Sequence, residues 1–165
     1  MLVADWLTRE QRARNMAAIR SRGTSPELRL ATALRTLFPR RRILEHTRDL
    51  PGKPDFYLPG LQLAIFVDGC FWHGCPTHGR TPEDNRGYWE PKLLRNVARD
   101  REAVIALRRL GIRPVRLWEH ELRWKTIQAA VRRVSQAARR AALQSGARSG
   151  VRWSEGPAGP KRGGG

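Results

Sequence analysis

Seven residues, Leu61 to Val67, make the most apolar run in the chain. A Pro59-Gly60 turn precedes them. A loop rich in Gly, Pro, Cys and His follows and reaches about Arg86. An apolar run of that length between turn residues reads as a central, buried strand. Two shorter strands are expected before it, at Ile43–Thr47 and Pro54–Leu58, and one after it, at Arg113–Trp118. Helical patterns surround them. Ser25, as cap, and Pro26 open a helix that buries Leu30, Leu34 and Leu37 and stops at Pro39. Pro91–Leu110 reads as the longest helix, turning Leu93, Leu94, Val97, Val104 and Leu107 inward, with Gly111 at its end. Thr8–Arg20, opened by a Thr8/Gln11 capping box, and Thr126–Leu143 read as basic helices. The mixture defines an α/β fold. Residues 1–143 are expected to form one domain, and residues 144–165, rich in Gly, Arg and Pro, a disordered basic tail.

Charge narrows the partners. The chain carries +17 at pH 7, with an isoelectric point near 11.6. From Arg139 onward six Lys/Arg face one Glu; that surplus of five taken from +17 leaves +12 on the body. Such a surface asks for a polyanion: nucleic acid, acidic lipid or a ribosomal site. No run approaches the ~20 apolar residues needed to cross a bilayer, and MLVADWLTREQ has no signal-peptide pattern. With no export signal, two cysteines five residues apart favour a reducing compartment and metal binding over a disulfide.

The chemistry concentrates between Leu50 and Gly79. Asp55 follows Pro54 on a short strand, and the next strand ends at Val67-Asp68. A hairpin of this size brings Asp55 beside Val67 and Asp68. Phosphodiester cleavage uses a hard cation on oxygen ligands, and a carboxylate with a nearby backbone carbonyl suffices for Mg²⁺. Pro54-Asp55 and the hairpin resemble the first half of the PD-(D/E)xK nuclease pattern. Its second half is missing, since Gly69 and Cys70 follow Asp68, so protons need another carrier. His73 is the nearest, with an ordinary pKa of about 6.5. Cys70-x-x-His73 is equally a zinc-ligand spacing. Cys70, Cys75 and His78 form a C-x4-C-x2-H cluster, and His120, just past the Arg113–Trp118 strand, can complete a tetrahedron. His46 is given no special role. Phe71 and Trp72, in a loop where burial is hard to arrange, suit wedges that enter a base stack, and Trp89 can join them.

Taken together, LPGKPDF, IFVDGCFWHGC, YWEPKLLRNVARDRE and RLWEHEL are similar to the very short patch repair (Vsr) mismatch endonucleases, in order, over roughly Arg12 to Leu122. The resemblance implies a restriction-endonuclease-like mixed central sheet flanked by helices, with a structural zinc. It implies a Mg²⁺-dependent nick 5′ of the thymine in a T:G mismatch, the product of 5-methylcytosine deamination. Asp55 is then the Mg²⁺ carboxylate and the Val67 carbonyl a second ligand, with Asp68, where some members carry histidine, a further candidate. His73 becomes the general base and Glu27 a support of the active site. Met16, Phe71, Trp72 and Trp89 become DNA-contacting or intercalating residues. Cys70, Cys75 and His120 fall on zinc positions; Thr77 stands where some members have cysteine, so His78 is taken as the fourth ligand. The resemblance also implies a monomer acting on double-stranded DNA in the bacterial cytoplasm, associated with the nucleoid, with a mismatch-repair matchmaker as protein partner. Two rivals remain: the same nuclease scaffold with another lesion or sequence specificity, and a zinc module that only binds DNA and leaves Asp55 and His73 idle.

Overall fold

The central strand is β3, Leu63–Asp68, and its two faces are covered by different helices. The computed structural model describes Gln11, residues 23–83 and residues 85–146, except the side chains of residues 145 and 146. Met16 and nearly all of the expected Thr8–Arg20 helix lie outside the described residues, as does the chain from 147. Within them the elements run α1 (Ser25–Leu37), β1 (Leu44–Glu45), β2 (Phe56–Leu58), β3, α2 (Arg86–Arg109), β4 (Arg113–Trp118) and α3 (Ile127–Gly146). The sheet has the order β1-β2-β3-β4. The first two pairings are antiparallel and β3–β4 is parallel, so α2 supplies the crossover.

Alternation along β3 sorts the core. Leu63 and Ile65 pack with Leu30 and Leu34 of α1 and with Ala130, Val134 and Ala138 of α3. Ala64 and Phe66 pack on the other side with Leu107 and Ile112. The apolar run is continuous because both faces are buried. It begins at Leu63 rather than Leu61, because Pro59–Leu61 is a 3₁₀ turn closed by Gln62 at φ +49°.

Helix boundaries depart from expectation at three ends. Thr24, not Ser25, is the N-cap of α1, and Glu27 turns back to accept from the Gly23 N–H at 2.9 Å and the Thr24 hydroxyl at 2.7 Å. Helix α2 starts five residues early, with Pro91 inside it, at the cost of the bond its N–H would give to the Gly87 carbonyl. Its inward stripe takes in Leu93, Ala103 and Leu107; Leu94 is 63% exposed rather than buried. Helix α3 runs to Gly146, three residues past the expected end.

β4 is an outer strand, and part of its edge is occupied by side chains. Arg113 N–H donates to the Gln62 carbonyl at 2.7 Å, so residues 114, 116 and 118 point their backbone outward. Pro114 has no N–H, the Arg116 carbonyl accepts from Arg133 Nη2 at 2.9 Å, and the Trp118 N–H donates to Glu121 at 2.8 Å. No helix among the described residues is long and apolar enough to cross a membrane.

Candidate active site and metal centres

One corner forms where β2 and β3 separate. Carrying their register two residues beyond Phe56↔Ile65 sets Pro54 against Val67. Proline has no N–H to give the Val67 carbonyl. The Val67 N–H donates instead to Asp55 Oδ2 at 2.7 Å. The N–H and C=O of one strand residue point to the same side, so this carbonyl also points toward Asp55. The Pro-Asp pair therefore leaves a carbonyl without its ladder bond beside a carboxylate, an oxygen set that fits a hard cation. Burial raises the Asp55 carboxyl to about 6, against the Val67 N–H and with the help of the Glu27 charge. Glu27 lies in the same corner, as expected. So does His46, a residue the sequence reading set aside: ligand atoms of Glu27, His46 and Asp55 all lie within 4.8 Å of one another.

The second group lies on the α2 face. His73 Nδ1 sits 2.6 Å from Asp100 Oδ2 and 3.9 Å from Asp68 Oδ1. The imidazole is thus turned to carboxylates and not into the thiolate cluster, which removes the Cys70-x-x-His73 ligand reading. Burial lowers its pKa, but the Asp100 bond and the charges of Asp68 and Asp100 outweigh that and leave it raised. Burial also pushes the Asp100 carboxyl up, and His73 with Arg116 brings it below its ordinary value.

Asp68 departs from expectation. It is 2% exposed, and its oxygens accept from Arg116 Nε at 2.6 Å and Nη2 at 2.5 Å. That two-point fork occupies it as the anchor of Arg116 and not as an open metal ligand. Burial raises its carboxyl, yet the fork favours the ionised form. Arg116 also reaches Asp100 at 3.1 Å and lies 4.8 Å over the Phe66 ring. Asp68 also acts electrostatically on Asp55, so its charge is felt at both Asp55 and His73.

The sulfur-nitrogen cluster follows from the parallel register. Asp68 pairs with Trp118, so Cys70 and His120, each two residues farther on, meet with Sγ and Nδ1 3.1 Å apart. Cys75 Sγ lies 3.7 Å from His120 Nδ1 and 3.9 Å from His78 Nδ1. One ligand atom from each of the four residues lies within 4.8 Å of the others. A tetrahedral ion with ordinary Zn–S and Zn–N bonds holds S and N about 3.6 Å apart. The donor set and the spacing both fit zinc, with His78 and not Thr77 as fourth member. Burial pushes the Cys70 thiol up to about 11, so a cation is what would hold it as thiolate.

Phe71, Trp72 and Trp89 gather edge-to-face, with centroids 4.9 to 6.0 Å apart. Two residues absent from the sequence reading join them. Tyr88 stands 5.1 Å from Trp89, and Lys92 Nζ lies 5.3 to 5.6 Å from the rings of Trp72, Tyr88 and Trp89. Asn96 fixes the loop by donating to the Trp72 carbonyl at 3.1 Å. Asp100 and Arg116 were also missed. Each had a signal: Asp100 is an acid in line with Leu93, Ala103 and Leu107 on one helix stripe, and Arg116 is a cation inside an apolar strand.

Comparison with known proteins adds to this geometry. The family model described as "DNA mismatch endonuclease Vsr" matches residues 4–78. The chain is 46% identical over 123 residues to the type II nicking enzyme V.NaeI of Lentzea aerocolonigenes, covering 73% of this chain and 74% of that protein. It is 39% identical to the type II nicking enzyme V.XorIIP of Xanthomonas oryzae pv. oryzae, covering 73% and 88%. It is 36% identical to the DNA mismatch endonuclease Vsr of Escherichia coli K12, covering 73% and 77%.

Proposed function

This chain belongs to the Vsr family of DNA mismatch endonucleases, and on that premise we propose that it nicks one strand of duplex DNA 5′ of the thymine in a T:G mismatch. That the protein is a DNA endonuclease, a hydrolase of phosphodiester bonds, follows from the family. The observation that carries the mechanism is the 2.6 Å contact between His73 and Asp100, with Asp68 lying 3.9 Å from the same imidazole and acting electrostatically on Asp55.

Asp55 and the Val67 carbonyl would hold Mg²⁺, with Glu27 supporting them. A divalent ion bound there would supply Lewis-acid polarisation of the scissile phosphate. Asp100 accepts the Nδ1–H of His73, which leaves Nε2 as the lone-pair nitrogen, and Nε2 takes the proton of the attacking water. Asp100 is a positioning residue: it fixes tautomer and ring angle. Asp68 and Arg116 brace Asp100 from behind. Phe71, Trp72 and Trp89 form a wedge at the base stack, where a wobble pair opens at lower cost than a matched one. Lys92 and the basic helices neutralise phosphates.

Cys70, Cys75, His78 and His120 would hold Zn²⁺ as a structural ion, at the ends of β3 and β4. The α/β core is of restriction-endonuclease type, and residues 1–143 act as a single domain. The protein acts as a monomer in this reading. The setting is chromosomal DNA in the bacterial cytoplasm, with a mismatch-repair matchmaker as protein partner.

Asp55→Ala tests the reading. Nicking is lost while mismatch binding by gel shift persists. Wild-type protein that binds mismatched DNA yet never nicks it with Mg²⁺ present would mark a binding module instead. A second reading, nicking in another sequence or lesion context, is favoured by the relatives called type II nicking enzymes.

A further inference from the structure

We infer that His46 is a protein ligand of the metal site at Asp55, through Nε2, and that this nitrogen makes the site hold a first-row divalent ion such as Mn²⁺ more tightly than Mg²⁺. The inference rests on Asp55 being the metal carboxylate and adds to it a residue and a metal class.

The backbone brings the ring there. Glu45 pairs with Phe56, so the next step of the ladder sets His46 against Asp55. The His46 N–H donates to the Asp55 carbonyl at 2.8 Å, and the Thr47 N–H donates to that of Pro54 at 3.2 Å. At His46 the chain takes a left-handed turn, φ +51°. A non-glycine residue adopts this only where the surroundings hold it, and such residues gather at functional sites. The turn places Nε2 3.8 Å from Glu27 Oε2. That gap is too long for a hydrogen bond. It suits two ligands of one ion: atoms bound at about 2.2 Å sit about 3 Å apart when adjacent and about 4.4 Å apart when opposite. The cluster limit of 4.8 Å therefore closes onto an ion with small side-chain shifts.

Chemistry then selects the ion. Mg²⁺ prefers oxygen ligands and keeps its waters. An imidazole beside two carboxylates suits the first-row series. Glu27 is 7% exposed, so a cation also offsets the cost of its buried charge.

The test uses full-length, zinc-loaded protein without DNA. Mn²⁺ binding is followed by electron paramagnetic resonance, with Mg²⁺ as competitor and electron spin-echo modulation to detect bound nitrogen. Mn²⁺ is expected to bind tighter than Mg²⁺, on the order of tenfold, and to show ¹⁴N modulation. His46→Ala loses the modulation and most of the Mn²⁺ preference. His46→Asn does the same with the left-handed turn preserved, since asparagine tolerates it, and thermal melts of both variants report their folding. Nitrogen modulation that persists in a folded His46→Asn, or equal affinity for the two ions in wild type, overturns the inference. Asp55→Asn separates the layers. If it releases the ion while the His46 variants keep the nitrogen signal, the His46 assignment alone fails. If it keeps both ion and signal, the Asp55 reading fails and takes this one with it.

Discussion

Burial holds the Asp55 carboxyl near 6 rather than 3.8, which ties its chemistry to its cost. Between those values the metal-free folded state binds more protons than the unfolded chain, so stability falls as pH rises through that window. At pH 7 the ionised group costs the fold up to about 3 kcal/mol. Asp55→Asn keeps an acceptor for the Val67 N–H and removes that cost. It should raise the thermal midpoint at pH 7 without added metal, gain little at pH 4, and abolish nicking. His73 carries the opposite charge logic. Its pKa is raised by Asp100 and Asp68 against burial, so the base is unprotonated only above that raised value. Asp100→Asn should move the acid limb of the rate profile to lower pH and cut the maximal rate by about 10²-fold or more. A purely structural Asp100 would lower activity without moving the limb. Arg116 neutralises a carboxylate that is 2% exposed. Arg116→Leu should cost about 3–5 kcal/mol in urea unfolding, and Asp68→Asn added to it should recover much of that loss.

Among the elements, the β3–β4 pair has the most consequences. Its parallel register carries Cys70 and His120 to the same level, and the loop brings Cys75 and His78 to them. Elemental analysis should find about one zinc per chain, and Cys75→Ser should lower the thermal midpoint before it alters metal-dependent nicking. Active protein free of zinc would break the ligand set. β4 was legible to the residue because Arg113–Trp118 is bounded by Gly111 and by a turn. The start of α2 was not: Pro91 reads as a first-turn residue, and only tertiary contacts show a helix carrying it inside. The Cys/His quartet could be picked out as a candidate metal cluster because its members are of rare types at ligand spacing. Asp100, Arg116 and His46 were harder to read: the stripe and strand positions of the first two are weak signals in a chain rich in charge, and what singles them out is a partner distant in sequence, 27 residues away for Asp100 and 48 for Arg116. Asp68 misled for the same reason, its place beside Asp55 being visible and its partner Arg116, 48 residues on, not.

At the scale of the whole molecule, +17 makes DNA affinity chiefly a matter of counterion release. If six or more phosphates are engaged, raising salt from about 50 to about 200 mM should weaken binding about 10³-fold or more, for matched and mismatched duplexes alike. Discrimination should then survive in the ratio if, as proposed, it comes from the aromatic wedge and not from the charge. The central claim is that the Asp55 corner and the His73–Asp100 pair act on one phosphate next to a weak base pair. It is tested most directly by end-labelled T:G, U:G, hypoxanthine-containing and matched duplexes, incubated with Mg²⁺ or with chelator and resolved on a denaturing gel. The account predicts one nick, 5′ of the mispaired thymine, with Mg²⁺ only, and an intact matched duplex. Equal cutting of matched DNA, or cutting that persists in chelator, would contradict it.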